Sequence, residues 1–565
     1  MLRMLRRKAL VVGACATLAL NGCGGDHPAG SGPLNAIVSS VIPASVQETP
    51  NPLRGQYEDL LVPLFPQGNP AQQRYPAWPA SNDASMRVSW RQLQPTDPRS
   101  LPPNAPDDVK YDFSVIDDAL SKLAARNMRL TLRVYAYNSC CDAVYPNDTN
   151  IEIPDWVRAL PGASTSYAGP PAGSSTHGLT QVVPNWNDAG YLDGFEQLLA
   201  ALGRRYDNDE RLSVFEFSGY GDFSEDHIAY LRDTLNAPGP APDESVAALG
   251  YYSQFRDQNI TIAAIRRLVA ANVNAFPHTQ LVVTVANPEI VRQVLADDVT
   301  KKLVAPVGIR SDALGVYAPL PVWAEDSASH YVQHQDPLVA ALKKRLAEAP
   351  VITEWGGAPP TKTDPRAYYV KGLRDVVKYH VSMTSSVNFL DANSTTAMDP
   401  QLYLLWAQAN VAAGYRYSVE ARAGSQTLRD GTARIAVTWT NYGAAAATEK
   451  WVPGYRLIDF SGAVIRTLPA AVALKMLVNT SDNSGDQPVP ASSTESVAVS
   501  MAGLAPGRYR LQASVGWQQH KPQGTHVVNY PPMQLAREGR DDAGWYSIAT
   551  LDVPRDALTS ASPQR

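Results

Sequence analysis

The chain has 565 residues, 44% of them hydrophobic and 18% charged, which is long for one ordinary domain and apolar enough for sizeable buried cores. Its formal net charge of −5 is small for that length, and no Lys/Arg-rich block follows the N-terminus, which excludes electrostatic recruitment of nucleic acid. Eleven Trp, 26 Tyr and 45 Pro indicate a loop-rich protein in which aromatics at loop ends suit sugar faces, although most such rings fill cores.

The first 23 residues read as an export signal: "MLRMLRRK" is the positive start and "ALVVGACATLAL" the apolar centre, too short to span a bilayer. The following "LNGC" resembles a bacterial lipobox, which implies a lipidated N-terminus at Cys23 and, with Gly24 rather than Asp, an outer-membrane anchor. Asn21 stands where such motifs usually carry a small residue, so plain secretion to the periplasm or beyond stays open. Residues 24–50, rich in Gly, Pro and Ser, read as a tether. Of the remaining cysteines, Cys140 and Cys141 are adjacent and cannot form a long cross-link; a vicinal disulfide, two thiols and, less readily, metal binding stay open.

From 51 to 415, short β-like runs alternate with amphipathic helical runs. Strands are predicted at 52–57, 85–90, 128–137, 211–218, 280–287, 307–315, 350–355 and 385–391, and helices at 114–126, 189–206, 253–274, 336–347, 366–380 and 399–414. Eight interleaved strands are what a (β/α)₈ TIM barrel needs. Residues 416–555 change to period-two segments such as "ARIAVTWTNYG" and "YRLIDFSG", the pattern of a C-terminal all-β sandwich, and 556–565 read as a disordered tail. The His330 and His334 pair has helical i,i+4 spacing but lacks the glutamate of a zinc motif.

In "PVITEWGG", residues 350–357, Glu354 stands between a buried strand and a glycine turn, at the rim where barrels do chemistry. The strand-four segment "LSVFEFSGYGDFSEDH" carries Glu216, Asp222 and Glu225; Glu225 follows the "GYG" turn at the rim and is preferred as acid/base, with Asp222 and Glu216 as alternatives and His227 placed to orient it or to bind a sugar hydroxyl. The bland account is that "DFSEDH" is the acidic start of a helix. Arg54, Trp90, Arg133, Tyr135, Tyr137 and Asn138 are expected near the mouth, where arginines hold a carboxylate ionised, or else in barrel-core ion pairs. Arg310 and Asp312 on strand six, and Asn388, Asp391 and Asn393 on strand eight, suit pyranose recognition; Trp355 is a stacking platform or a cap on the core.

"PVITEWGG" resembles the strand-seven motif of clan A glycoside hydrolases, which implies Glu354 as nucleophile and an acid/base at the end of strand four. "NPLRG", "VSWRQLQP", "GYGDFSEDH", "GIRSDALG" and "LAREGRDDAGWYSIATLDV" together resemble a family of exported bacterial proteins joining a glycosidase-like barrel to a C-terminal β-domain. The expectation is a retaining glycosidase of poly- or oligosaccharides at the cell envelope, with no cofactor and no catalytic metal. The missing Asn before the strand-four Glu, and Gln94 where many relatives have Glu, favour the alternative of a non-catalytic glycan-binding lipoprotein. A third reading makes the β-domain a partner-docking module and the barrel its scaffold.

Overall fold

The computed structural model describes residues 48–60, 80–138, 151–167, 181–228, 260–356, 364–385, 387, 398–429, 431–480, 485–521 and 523–553, with the backbone of 37–39. Eight parallel strands close into a barrel: β1 (Gly55–Asp59), β2 (Ser81–Ser89), β3 (Arg129–Tyr135), β4 (Leu212–Glu216), β5 (Gln280–Thr284), β6 (Gly308–Leu314), β7 (Val351–Trp355) and β8 (Met383–Ser385). Each pairs with its sequence neighbours, and β8 closes on β1 through Met383 opposite Gly55. The expected eighth strand at 385–391 is therefore set earlier, and Asn388, Asp391 and Asn393 lie outside the described residues, as do Cys23, Cys140 and Cys141.

The barrel helices are α1 (Ser114–Ala124), α2 (Ala189–Tyr206), α3 (Ile262–Ala275), α4 (Pro288–Val294), α5 (Pro337–Glu348), α6 (Pro365–Lys378) and α7 (Pro400–Ala412). Four of them start at an Asn-Pro or Asp-Pro step. The side chains of Asn287, Asp336, Asp364 and Asp399 accept hydrogen bonds from first-turn amides, while the proline supplies a helical φ and needs no partner for a missing N–H. Helix α4 was not foreseen, and its seven residues are short for a periodic signal. Among the described residues no helix is long and apolar enough to cross a membrane.

An apolar layer of Leu53, Tyr57, Val214, Val282, Ile352 and Met383 fills the middle of the barrel. Strand side chains alternate between interior and exterior, so the next inward positions on β4 and β7 are Glu216 and Glu354, toward the C-terminal mouth.

Two antiparallel sheets follow. The strands β9 (Tyr417–Arg429), β10 (Thr432–Asn441) and β13 (Ala491–Ser500) form one; β11 (Trp451–Asp459), β12 (Val464–Pro469), β14 (Gly507–Trp517) and β15 (Tyr546–Val553) form the other. One core takes Val437 and Trp439 from the first sheet and Leu457, Leu511 and Ile548 from the second. Within 24–50, expected as a tether, Ile37–Ser39 adds a strand along β15.

The sandwich seals the N-terminal end of the barrel, opposite the mouth. Arg129, the first residue of β3, is buried against Glu449, donates from Nε to Tyr530 Oη at 3.0 Å and stacks over the Trp517 ring. Lys521 Nζ donates to the carbonyls of Asp209 (2.7 Å) and Leu212 (2.9 Å) and to Thr279 Oγ1 (2.9 Å) beneath β4 and β5. A buried guanidinium that loses its carboxylate costs about 3–5 kcal/mol. Glu449→Ala is accordingly expected to destabilise the protein by about that amount in denaturant titration, and a change below about 1 kcal/mol would show that this contact does not hold the units together.

Candidate active site

The inward residues of the upper barrel are charged. Five carboxyl groups (Asp59, Glu216, Glu225, Asp312 and Glu354) meet three guanidiniums (Arg87, Arg133 and Arg310). Arg87 pairs with Asp59 at 2.9 Å and reaches Glu225 at 3.9 Å. Arg133 holds Glu216 at 2.6 Å and Glu225 at 2.8 Å. Arg310 divides its donors among Glu354 Oε2 (2.6 Å), Asp312 Oδ1 (3.0 Å) and the Tyr57 hydroxyl (2.8 Å).

One oxygen from each of Glu225, Asp312 and Glu354 lies within 4.8 Å of the other two. These three side chains keep 12–19% of their surface open, whereas Asp59 and Glu216 keep only 3%. The negative excess therefore faces the mouth. Arg133 and Arg310 already bring the positive charge that an ion would bring to this spacing, so no metal role is assigned to the three.

Glu225 is carried by a strained loop. Phe223, Ser224 and Asp226 all have positive φ (46°, 58° and 56°), a conformation costing about 1–3 kcal/mol for each non-glycine residue. Gly219 and Gly221 also take positive φ, and a side chain on Gly221 would fall 2.4 Å from the His227 carbonyl. Ser224 Oγ accepts from the Gly219 amide (3.0 Å) and donates to the Val134 carbonyl (2.8 Å), while the Phe223 amide donates to the Tyr137 carbonyl (2.9 Å). The coil is thereby pinned to the end of β3, and Glu225 is aimed across the barrel toward β7.

The environments of the two glutamates differ. Burial alone would raise the Glu225 carboxyl, but the hydrogen bond from His227 (3.3 Å), Arg133 and Arg87 overcome it and hold it well below the usual range. Glu354 is pushed up to about 7: burial dominates, Arg310 and Arg87 oppose it, and Asp312 and Glu225 add to it. Asp312 is raised by burial and by Glu225. Glu216 is held low by Arg133 and Arg310 against its burial. His227 is raised because Glu225, Asp222 and Asp312 outweigh its own burial.

The other expected residues lie elsewhere. Arg54 sits at the opposite end of the barrel, donating to the carbonyls of Thr49 (2.8 Å) and Val411 (2.8 Å). Trp90 is buried edge-on to Trp156, Tyr191 and Phe195, with its indole N–H on Gln94 Oε1 at 2.8 Å. Gln94 thus serves a tryptophan inside the helical layer. Trp355 packs on Tyr368, Tyr369 and Gly372, where a side chain on the glycine would lie 2.3 Å from the ring. With Glu354 facing inward, its strand neighbour must face outward, so neither tryptophan offers a stacking face. Tyr137 and Asn138 are buried just beneath the rim, Tyr137 beside Trp186. Asp222 is buried at the start of the Glu225 coil, facing His227. The rings of His330 and His334 lie 4.1 Å apart, tilted by 35°, with His330 opening a four-residue helix and His334 at its C-cap, and the two belong to no three-ligand group among the described residues.

Sequence reading passed over Arg87 and Tyr57. Their signal is a polar residue at an inward position of a parallel strand, seen in "MRVS" and "GQYE" as in "VFEF", "LRVY" and "GIRSD". Five such strands in one barrel indicate a charged layer.

No family model matches the chain, and no curated protein matches it. Among solved structures, the endo-glycoceramidase II from Rhodococcus sp., as its lactosyl-enzyme intermediate, is 12% identical with a TM-score of 0.37, covering 81% of this chain and 100% of its own. The beta-1,4-D-mannanase from Cryptopygus antarcticus is 11% identical (TM-score 0.29; 58% and 79% covered). The beta-glycosidase from the hyperthermophile Thermosphaera aggregans is 9% identical (TM-score 0.31; 59% and 82% covered).

Proposed function

We propose that the protein is a retaining glycoside hydrolase acting on a polysaccharide or oligosaccharide, with Glu225 and Glu354 as its catalytic pair. The observation that carries this reading is the convergence of their oxygens within 4.8 Å at the C-terminal mouth of a parallel barrel. Retention needs two carboxyl groups about 5 Å apart, whereas inversion needs about 6.5–9.5 Å to admit a water.

The surroundings favour roles opposite to those that the strand-seven resemblance implies. Glu225, kept anionic by His227, Arg133 and Arg87, is the nucleophile that attacks the anomeric carbon. Glu354 retains a proton to about pH 7 and is the acid that protonates the departing oxygen. After that step the Glu354 carboxylate takes a proton from water as the water opens the glycosyl ester on Glu225. Arg310 holds Glu354 in place through both proton states. A second reading, a glycan-binding protein without hydrolysis, is supported by the direct pairing of both carboxyls with guanidiniums, as in a structural ion-pair network. Export and a lipid anchor on Cys23 remain part of the proposal; incorporation of radiolabelled palmitate, lost in Cys23→Ala, is the expected result.

Release of reducing sugar from a panel of bacterial and plant polysaccharides tests the reaction. Glu354→Gln and Glu225→Gln are each expected to lower kcat by about 10²–10⁴-fold or more. An activated 2-fluoro glycoside should leave its sugar on Glu225 in peptide mapping. Label on Glu354 would reverse the roles, and glycan binding without any hydrolysis would establish the second reading.

The pH profile is a separate check. Glu354 must be protonated, so kcat/KM is expected to fall as pH rises through about 7. Glu225 must be ionised, and its depressed pKa puts the acid limb below the usual carboxylate range. An alkaline limb well above 7 would contradict Glu354 as the acid.

A further inference from the structure

Hydrolysis by the Glu225 and Glu354 pair leaves the third converging carboxyl, Asp312, without a task. It hangs from the same guanidinium as Glu354: Arg310 Nε donates to Asp312 and Nη2 to Glu354. Its position comes from an irregularity in the sheet. Ser311 pairs with Thr353 and Leu314 with Trp355, so Asp312 and Ala313 together stand opposite Glu354 alone. Ala313 takes the left-handed conformation (φ 61°), which a residue with a side chain adopts at a cost of about 1–2 kcal/mol. A bulge of this kind re-aims a strand residue, and here it sets Asp312 beside Glu354.

Resting on the glycosidase reading of the pair, we infer that Asp312 is a positioning residue which shares one proton with Glu354 across Arg310 and so keeps Glu354 supplied with the proton it donates. One guanidinium cannot neutralise two carboxylates that its own nitrogens hold together, and like charges so close do not both ionise.

The neighbouring charges leave the shared proton in place. Glu354 faces Tyr57 from β1, Arg87 from β2, Arg310 and Asp312 from β6, and Glu225 from the loop after β4. Asp312 faces Arg133 from β3, Arg310 from its own strand, and Glu225 and His227 from the loop. Arg133 reaches Asp312 only at 4.0 Å and Arg87 acts on Glu354 without a direct ion pair, because their nearest carboxylates are Glu216 and Glu225 for the one and Asp59 for the other; both oppose the proton on the pair without displacing it.

The test is a double-mutant cycle on stability against pH, using wild type, Glu354→Gln, Asp312→Asn and the double variant. A carboxyl whose folded pKa exceeds its unfolded value binds a proton on folding, so the thermal midpoint of the wild type should fall as pH rises from 4.5 to about 7. Either single substitution removes the like charge held beside the remaining carboxyl, which then ionises at a lower pH although it stays buried. Each is therefore expected to remove a large part of the fall, and the double variant should remove clearly less than the sum of the two.

Losses that add would mean two independent carboxyls and would overturn the inference. A carboxyl ¹³C titration of the wild type separates the same two cases without a variant: each of the two resonances should move in two steps, and single independent steps would overturn the shared proton. In activity, Asp312→Asn should carry the alkaline limb down by about one to two pH units, which a purely structural role would not do. The thermal and NMR readings need no substrate. Absence of hydrolysis would thus remove the glycosidase reading alone, and additive slopes in an active enzyme would remove the shared proton alone.

Discussion

Two more carboxyl groups than guanidiniums are enclosed at the C-terminal end of the barrel, and a buried excess of negative charge is relieved by taking up protons rather than by ionising. Which group takes the proton depends on how the guanidiniums are shared out. Arg133 is spent on Glu216 and Glu225, Arg87 on Asp59 and more distantly Glu225, and Arg310 is split between Asp312 and Glu354. Glu225 thus collects positive charge from two arginines and His227, while Glu354 shares Arg310 with Asp312 and feels Arg87 without a direct ion pair, too little to offset its burial. Two glutamates of the same intrinsic acidity are driven apart, which is what a pair working as nucleophile and acid requires.

Holding that excess in place has a cost in backbone conformation. Phe223, Ser224, Asp226 and Ala313 are non-glycine residues in the left-handed region, three in the coil that carries Glu225 and one in the bulge that carries Asp312. The rest of the fold is rigid enough to impose this. An apolar layer closes the barrel below the charges, and the sandwich seals the far end through the buried Arg129 and Lys521. Among the described residues, the β-sandwich therefore supports the site from behind and contributes nothing to its walls. Charges at the mouth are set by β1 to β4, β6, β7 and the loop after β4.

The barrel was legible because its signals are local. Parallel strands covered on both faces give short apolar runs, and Asn287-Pro288, Asp336-Pro337, Asp364-Pro365 and Asp399-Pro400 mark helix starts whose caps the structure contains. That Glu354 ends a strand and that Glu225 follows a glycine turn can likewise be read from neighbours along the chain. Strand alternation also implies that Glu354 and Trp355 cannot both face the mouth.

The sequence by itself determined the order of strands and helices, the change to period-two segments after 415, and the strand-end or turn setting of the charged residues, since each depends on residues a few places apart. Tertiary structure alone decided which charges share a partner. Arg133 meets Glu225 across 92 positions and Arg310 meets Glu354 across 44, and closure of the barrel, not chain proximity, sets those distances. It also decided that Arg54 belongs to the opposite end and Trp90 to the helical layer. Ionisation follows from the same cause, because a carboxyl's proton affinity is fixed by burial and by charges within a few ångströms, and those neighbours come from four separate segments of chain.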